Sequence, residues 1–258
     1  MKISLGIEYD GSQFHGWQKQ PSLRAVQSEV ESALSSVANH PIHVFCAGRT
    51  DAGVHAIEQI VHFETSVSRP VKAWCLGANT YLPSDVVVKW SSTVSDDFHA
   101  RFSALSRTYV YRIDNRAVRT CLYRNYATWI PKPLNVEAMQ EGASCLLGEH
   151  DFSSFRGADC QSLSPCRRVD FISIKRQQSF VFIEITANAF LQHMVRNIVG
   201  VLVAVGSGRE PVEWVKEVLE KKDRTCADVT LAPQGLFLMK VQYPNVFELP
   251  SQSLSLHF

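Results

Sequence analysis

Segments with the hydrophobic periodicity of a strand alternate irregularly along the chain with segments that have the periodicity of a helix. This order is the sequence feature that constrains the fold most. Apolar residues alternate in strands and recur every three to four positions in helices. Strands are predicted at 3–9, 42–47, 59–64, 86–92, 107–113, 169–175, 180–186 and 235–242. Helices are predicted at 25–37 (capped by Ser22), 70–79, 136–147, 189–205 and 211–221. Frequent hairpins and irregular alternation favour an α+β fold with mostly antiparallel sheets over a doubly wound parallel sheet.

The order of strand, helix and further strands occurs twice, which predicts two similar α+β halves. We place the boundary after residue 105, giving an N-terminal half, 1–105, and a C-terminal half, 106–258. The halves show no obvious sequence repeat, and no low-complexity linker separates them. We therefore expect them to pack closely. The polar tail after Pro250 is expected to be loosely held.

Composition indicates a globular protein and limits its chemistry. The 258 residues are 45% hydrophobic and 20% charged, with a net charge of +1, so phosphate binding would need a local basic patch. Seven scattered cysteines, without a Cys-x-x-Cys pair, favour reduced thiols in a cytoplasmic protein and no metal site. The N-terminus resembles a strand rather than a signal peptide, and no apolar run is long enough for a membrane span. No phosphate-binding glycine motif supports a nucleotide cofactor.

The most specific segment is residues 47–56, Ala-Gly-Arg-Thr-Asp-Ala-Gly-Val-His-Ala. Two glycines bracket Arg49 and Asp51 between predicted strands. Because glycine adopts backbone angles closed to other residues, such a loop can hold Asp51 exposed and fixed. The alternative is a turn aspartate that accepts hydrogen bonds from nearby amides.

The predicted helix around Arg196 is apolar over most of its circumference. Its polar residues, 192, 193, 196 and 197, form one narrow stripe that continues into Gly200 and Ala204, small residues that permit another backbone to approach closely. An arginine on a largely buried helix is rarely unpaired, so we expect a carboxylate partner, with Asp51 as a candidate. The alternatives are a structural ion pair elsewhere and a surface arginine.

Two further segments combine aromatic with polar or basic residues. In residues 97–111, Arg101 and Arg107 interleave with Tyr109 and Tyr111, a combination that RNA sites use for phosphates and unpaired bases. The alternative is a strand with half-buried tyrosines. Residues 9–20 are rich in glycine, aromatic and polar residues, which predicts a surface loop available for binding.

The chain resembles the TruA family of tRNA pseudouridine synthases. The resemblance rests on segments that occur in the family's order and span nearly the whole sequence, namely 9–18, 47–56, 98–111, 151–155, 190–200 and 232–236. It implies isomerisation of uridine to pseudouridine at positions 38, 39 and 40 of the tRNA anticodon stem-loop. It also implies a homodimer of two-part subunits with the active cleft between the halves, and neither metal nor organic cofactor.

The same resemblance implies roles for individual residues. Asp51 aligns with the catalytic aspartate, Arg196 with the arginine that pairs with it, and Tyr109 with the aromatic residue against the target uracil. Arg49 and Leu236 align with further active-site positions. For the tRNA surface we select six arginines from the sequence, namely Arg24, Arg101, Arg107, Arg156, Arg167 and Arg168.

Two other functions remain open from the sequence. A non-catalytic tRNA-binding or tRNA-folding module would keep the basic and aromatic surface but would need no pair between Asp51 and Arg196. A small-molecule enzyme on an α+β fold would act on free uridine or its monophosphate without tRNA.

Overall fold

The structure is a computed structural model that describes residues 1–250. The described residues divide into two compact units, one formed by 1–107 together with 237–250, the other by 108–236. Both units combine helices with strands that pair mostly antiparallel, which confirms the predicted α+β class. A cut after residue 105 differs from this division because the last strand belongs to the first unit. The tail after Pro250 lies outside the described residues.

The strands among residues 1–250 are β1 (Lys2–Tyr9), β2 (Phe45–Cys46), β3 (His55–Glu64), β4 (Val86–Val94), β5 (Ser106–Asp114), β6 (Thr128–Trp129), β7 (Gly148–Asp151), β8 (Cys166–Gln177), β9 (Phe180–Ala187) and β10 (Leu236–Gln242). The α-helices are α1 (Val26–Ala38), α2 (Val71–Asn79), α3 (Val136–Ala143), α4 (Met194–Gly206) and α5 (Trp214–Lys221). Within this part of the chain no helix is both long and apolar enough to cross a membrane.

In the first unit β1 lies between β4 and β3, and β10 follows β3 on the other side. Strand β1 pairs antiparallel with both neighbours, so Leu5 lies opposite Val61 on one side and Ser91 on the other. Strand β10 runs parallel to β3 and places Phe237 opposite His55. Because it is central, β1 is buried on both faces rather than on one.

In the second unit the strands follow the order β5, β9, β8, β7, and β6 pairs with β5. The hairpin predicted at 169–175 and 180–186 is confirmed as β8 and β9, with Lys175 opposite Phe182. Helix α4 is the core helix of this unit. Every one of its residues except Arg196 is buried, so Arg196 is the one residue of this helix that is partly exposed.

The predicted strand 42–47 is wrong in its first half, since β2 contains only Phe45 and Cys46. The backbone N–H of Ile42 donates to the hydroxyl of Ser35, and that of Val44 donates to a carboxylate oxygen of Glu31. These bonds to side chains of α1 replace bonds to a neighbouring strand. A hydrophobic pattern cannot reveal such a substitution, because Ile42 and Val44 are buried in either case.

The predicted helix 189–205 is wrong at its start, because α4 begins only at Met194. His193 has a φ of 63°, in the left-handed region, which ends regular helix geometry before it. The carbonyl of Gln192 accepts the backbone N–H of Gly157, at 2.8 Å. Gln192 and His193 therefore do not belong to the polar stripe of the helix, whereas Arg196 and Asn197 do.

Three smaller predictions at helix ends are also corrected. Ser22 does not cap α1, which follows Ala25 without a side-chain cap, while Ser22 itself has a φ of 60°. Helix α3 ends at Ala143 and continues as a short 3-10 turn. Helix α5 starts at Trp214, three residues after Pro211.

Candidate active site

Asp51 lies in the aspartate loop, defined as residues 47–56, between β2 and β3 of the first unit. Its side chain is half-buried, whereas Thr50 beside it is buried. The hydroxyl of Thr50 is 2.8 Å from that of Tyr9, and its carbonyl accepts the backbone N–H of Trp17 at 3.0 Å. Because both the side chain and the carbonyl of Thr50 are bonded, the backbone immediately before Asp51 is fixed.

Residues 9–17 pack against the aspartate loop more closely than a side chain would allow. A Cβ atom on Gly11 would lie 2.0 Å from the carbonyl oxygen of Val54. Gly16 has a φ of 89°, and a Cβ atom there would lie 2.7 Å from the carbonyl oxygen of Thr50. Both positions therefore require glycine.

The prediction of a surface loop at residues 9–20 is wrong for its first part. Phe14 and Trp17 are 3% and 1% exposed, and Tyr9 is buried as well. The segment supports the aspartate loop from inside the first unit. Its sequence signal, glycines among aromatic residues, is also typical of exposed binding loops, so the pattern alone does not distinguish the two.

Three further bonds hold the ends of the aspartate loop. The carbonyl of Ala47 accepts a guanidinium N–H of Arg107 at 2.9 Å, and the carbonyl of Gly48 accepts the side-chain amide of Gln59 at 2.6 Å. At the other end, the backbone N–H of Gly11 donates to Nδ1 of His55 at 3.0 Å. His55 is 2% exposed and stacks on Phe237, so this end rests on the core.

The thiol beside the aspartate loop does not suit a nucleophile. Burial raises the pKa of Cys46 to about 12, although the positive charges of Arg49 and Arg101 oppose the rise. A thiol with such a pKa is protonated at neutral pH and therefore unreactive. Asp51 remains the carboxylate that the loop presents next to the exposed Arg49.

In the second unit Arg196 is half-buried and its Nε donates to the carbonyl of Leu231 at 2.7 Å. The neighbouring Asn197 accepts the hydroxyl of Thr230 at 2.6 Å and donates to the carbonyl of Phe155 at 2.8 Å. A Cβ atom on Gly200 would lie 2.2 Å from the carbonyl oxygen of Val229. The predicted close approach of a backbone to the small residues of this helix is thus confirmed.

Tyr109 and Tyr111 lie on β5 and are both buried. The ring of Tyr109 meets that of Phe190 edge to face, with centroids 5.1 Å apart. The hydroxyl of Tyr111 lies 2.6 Å from both the Thr128 hydroxyl and the Ala232 carbonyl, and burial raises its pKa. Tyr111 is therefore a structural residue.

Leu236, the first residue of β10, is 6% exposed and immediately follows the 3-10 turn 233–235. This turn passes close to β5, since a Cβ atom on Gly235 would lie 2.6 Å from the carbonyl oxygen of Arg112. Leu236 is thereby fixed within the packed backbone of the second unit.

Comparisons with known proteins bear on the same segments. The sequence profile of the family described as tRNA pseudouridine synthase matches residues 6–103 and 143–244. The tRNA pseudouridine synthase A of Glaesserella parasuis is 53% identical over 98% of this chain and 97% of its own length. Those of Coxiella burnetii and Salmonella arizonae are 52% and 53% identical, over 100% and 96% of this chain and 98% and 92% of their own lengths. The chain belongs to the tRNA pseudouridine synthase family.

Members of this family are isomerases, and the matched residues include Asp51, Arg196 and Leu236. Tyr109 lies in the stretch 104–142 between the two matched parts. A chain of the solved Cbf5-Nop10-Gar1 complex aligns with 78% of this chain and 54% of its own at 11% identity and a TM-score of 0.34, which is too distant to add to the assignment.

For this pseudouridine synthase the sequence predicts Arg101 and Arg107 as substrate-binding residues, and their surroundings differ. Arg107 is 8% exposed, and its guanidinium donates to the carbonyls of Ala47, Ala104 and Arg101. Arg101 is exposed, with its guanidinium 5.6 Å from the centre of the Phe102 ring. Arg101 is accessible to a phosphate, whereas Arg107 supports the aspartate loop.

The other arginines selected for a tRNA surface also have internal partners. Arg24 forms a two-pronged ion pair with Asp85, at 2.7 and 2.9 Å. Arg156 and Arg167 donate to backbone carbonyls of residues 160–166, and Arg168 pairs with Asp170 at 2.6 Å. A guanidinium already bound to a carboxylate or to carbonyls has fewer donors for a phosphate.

No cluster of three or more potential metal ligands occurs among residues 1–250. The seven cysteines all lie in that range and are all free.

Proposed function

We propose that this chain isomerises uridine to pseudouridine at positions 38, 39 and 40 of the tRNA anticodon stem-loop, with Asp51 as the catalytic carboxylate. The observation that carries the proposal is the aspartate loop. It holds the residues on either side of the half-buried Asp51, namely Thr50 and Gly53, by hydrogen bonds to buried partners, and it lies in a segment that the family profile matches. A turn aspartate without catalytic work would need no such support.

The reaction moves one bond. The bond from ribose C1′ to uracil N1 breaks, a bond from C1′ to C5 forms, the C5 proton leaves and N1 gains a proton. Since the product is an isomer of the substrate, neither a redox carrier nor an energy source is consumed. An ionised Asp51 serves at the sugar or the ring as nucleophile or base.

Arg196 is proposed to pair with Asp51 and orient its carboxylate oxygens. Its Nε bond to the carbonyl of Leu231 orients the guanidinium on α4. Tyr109 is proposed to lie against the target uracil, repaying part of the few kcal/mol that unstacking the base costs. Arg49, Leu236, Arg101 and, indirectly, Arg107 complete the proposed site.

Two further proposals concern the state of the enzyme. We propose a homodimer in the cytoplasm, where the seven free thiols stay reduced. Sedimentation at micromolar concentration measures the mass directly. A single species of 29.0 kDa would contradict the dimer.

The deciding experiment uses unmodified tRNA with tritium at uracil C5 of the anticodon arm. Wild type should release tritium, and Asp51→Ala should bind the tRNA without releasing it. Tight binding without release by either protein favours the alternative, a non-catalytic tRNA-binding or tRNA-folding module. Turnover of free uridine monophosphate would instead indicate a small-molecule enzyme.

A further inference from the structure

Positive charge is concentrated in one part of this nearly neutral chain. The basic segment, defined as residues 111–135, holds five basic residues and one acidic residue, a net charge of +4. The whole chain carries +1, so the remaining residues together carry −3. The segment lies within the stretch 104–142 that the family profile leaves unmatched. A local field of this kind attracts polyanions even when the protein as a whole does not.

Two of the five basic side chains contact other side chains of the protein rather than extending into solvent. Arg112 is 1% exposed, and its guanidinium lies 4.0 Å from the ring centre of Phe180 and 4.6 Å from that of Tyr123. Arg116 pairs with the buried Asp114, at 2.6 Å and 2.9 Å. These contacts anchor the segment on β5 and β9.

The other three cations, Arg119, Arg124 and Lys132, are exposed. Neither Arg119 nor Arg124 forms an ion pair with any residue of 1–250, and Arg124 donates to the carbonyl of Cys121 at 3.0 Å. Exposed Arg176 donates to Asn115 and to the carbonyl of Leu134, which brings a further cation to the base of the segment. The outward charge of the segment is therefore uncompensated, unlike that of Arg24 or Arg168.

Apolar and aromatic groups are exposed between these cations. Val118 and Leu122 are 79% and 77% exposed, and Trp129 is 42% exposed with its indole N–H bound to the carbonyl of Arg116. RNA contacts combine phosphate-binding arginines with such surfaces for sugars and bases.

We propose that the basic segment is a phosphate-binding surface for the RNA backbone, with Arg119 and Arg124 as its principal contacts. The inference rests on the proposed function, because it supplies the tRNA surface that the internally bonded arginines do not. It assigns RNA binding to a part of the second unit outside the aspartate loop and outside α4.

The test compares two double variants that each remove two positive charges. Arg119→Gln with Arg124→Gln changes the basic segment. Lys216→Gln with Lys221→Gln changes exposed lysines on α5, a helix in which Lys216 pairs with Glu220 at 3.8 Å and Glu217 lies between the two lysines in the sequence. Binding of unmodified tRNA is measured from about 50 to 200 mM salt, the range over which phosphate contacts weaken strongly.

The arginine double variant should bind roughly tenfold more weakly at the low-salt end. Its slope of log K against log salt should become shallower by about 1.5, since each lost phosphate contact removes about 0.7 to 0.9. The lysine double variant should match wild type in both quantities. Because all four side chains are exposed, the thermal midpoints should stay close to that of wild type.

Equal salt slopes for the arginine and lysine double variants would overturn the proposal, whether both slopes matched that of wild type or both were shallower. The proposal requires a shallower slope for the arginine double variant alone. Tritium release separates this from the proposed function. Wild type that binds tRNA with a steep slope but releases no tritium would contradict the synthase and leave the basic segment supported. Failure of the wild-type protein to bind tRNA would contradict both the proposed function and the role of the basic segment.

Discussion

The aspartate loop and the basic segment carry their functional groups in opposite ways. In the aspartate loop, residues 47–56, backbone groups on both sides of Asp51 are bound to buried partners, and two glycines admit their close approach. In the basic segment, residues 111–135, Arg119 and Arg124 extend into solvent from a short anchored base. The first arrangement suits chemistry, which needs fixed geometry, and the second suits a polyanion, which needs charge more than position.

The largest effect that separates the two regions is expected at Asp51. Asp51→Asn keeps the shape of the side chain but removes its charge, so the turnover rate should fall about a thousandfold or more while tRNA affinity stays within about threefold. Single-turnover tritium release and filter binding measure the two quantities. A comparable loss of tRNA binding would mean that the aspartate loop also binds substrate. The division of roles between the aspartate loop and the basic segment would then be contradicted.

Arg107 tests whether buried arginines support the aspartate loop or bind RNA. Arg107→Gln leaves the carbonyls of Ala47, Ala104 and Arg101 without their charged donor. The free energy of unfolding should drop by about 3 kcal/mol, in line with the loss of several buried bonds to a charged group. Urea denaturation measures it.

The salt dependence of tRNA binding provides the contrast for this variant. Arg107→Gln should keep the wild-type slope, because its guanidinium is not a phosphate contact in our interpretation. A slope shallower by about 0.7 or more would restore Arg107 to the RNA surface.

Acid should weaken the region of the aspartate loop but leave the charge of the guanidinium groups of the basic segment unchanged, since these are already protonated at neutral pH. Burial, with the nearby charges of His99 and Lys2, lowers the pKa of His62 to about 4. His62 accepts the backbone N–H of Ala100 and stacks on Phe45, at the strand that leads into the loop.

The unfolded chain, where histidine has a pKa near 6.5, gains a proton between pH 7 and pH 5 that folded His62 does not. Stability should therefore fall as the pH falls through this window, by about 2 kcal/mol at pH 5. Unfolding curves at both pH values measure the change. His62→Gln should remove most of it, and an unchanged pH dependence in that variant would contradict the assignment.

The smallest expected effect concerns one hydroxyl. Tyr9→Phe removes the 2.8 Å bond to Thr50 and should cost about 1 kcal/mol of stability. If this bond positions Asp51, the turnover rate should fall about threefold to tenfold with KM unchanged. Equal rates for Tyr9→Phe and wild type would show that the remaining contacts suffice to hold the loop. Thr50→Val serves as the matched variant, since it removes the other partner of the same bond.

Much of the fold could be predicted from the sequence, and the predictions that were wrong have physical causes. The α+β class, the β8–β9 hairpin and the close backbone approach at Gly200 follow from local patterns and are confirmed. The late start of α4 could not be predicted, because the 2.8 Å bond between Gln192 and Gly157 joins residues 35 positions apart.

The candidate site shows the same limit. The family resemblance selects Asp51 and Arg196 because they lie within specific motifs, but selecting arginines by charge alone fails. Arg24 and Arg107 resemble Arg119 in the sequence, yet two of them have buried or paired guanidinium groups and one does not. The difference depends on Asp85 and Ala47, which are distant in the chain. Charge becomes informative only once its partners are known.

The return of β10 to the first unit has a consequence for synthesis. Residues 108–236 form a continuous stretch and can fold as soon as they emerge from the ribosome. The first unit must wait, because β3 pairs with β10 only after residue 242 has been made. The edge of β3 that carries His55 therefore stays open for most of translation, and the aspartate loop, which ends at that strand, acquires its final support last. A nascent chain halted before Phe237 would contain Asp51 but not the strand that completes its sheet.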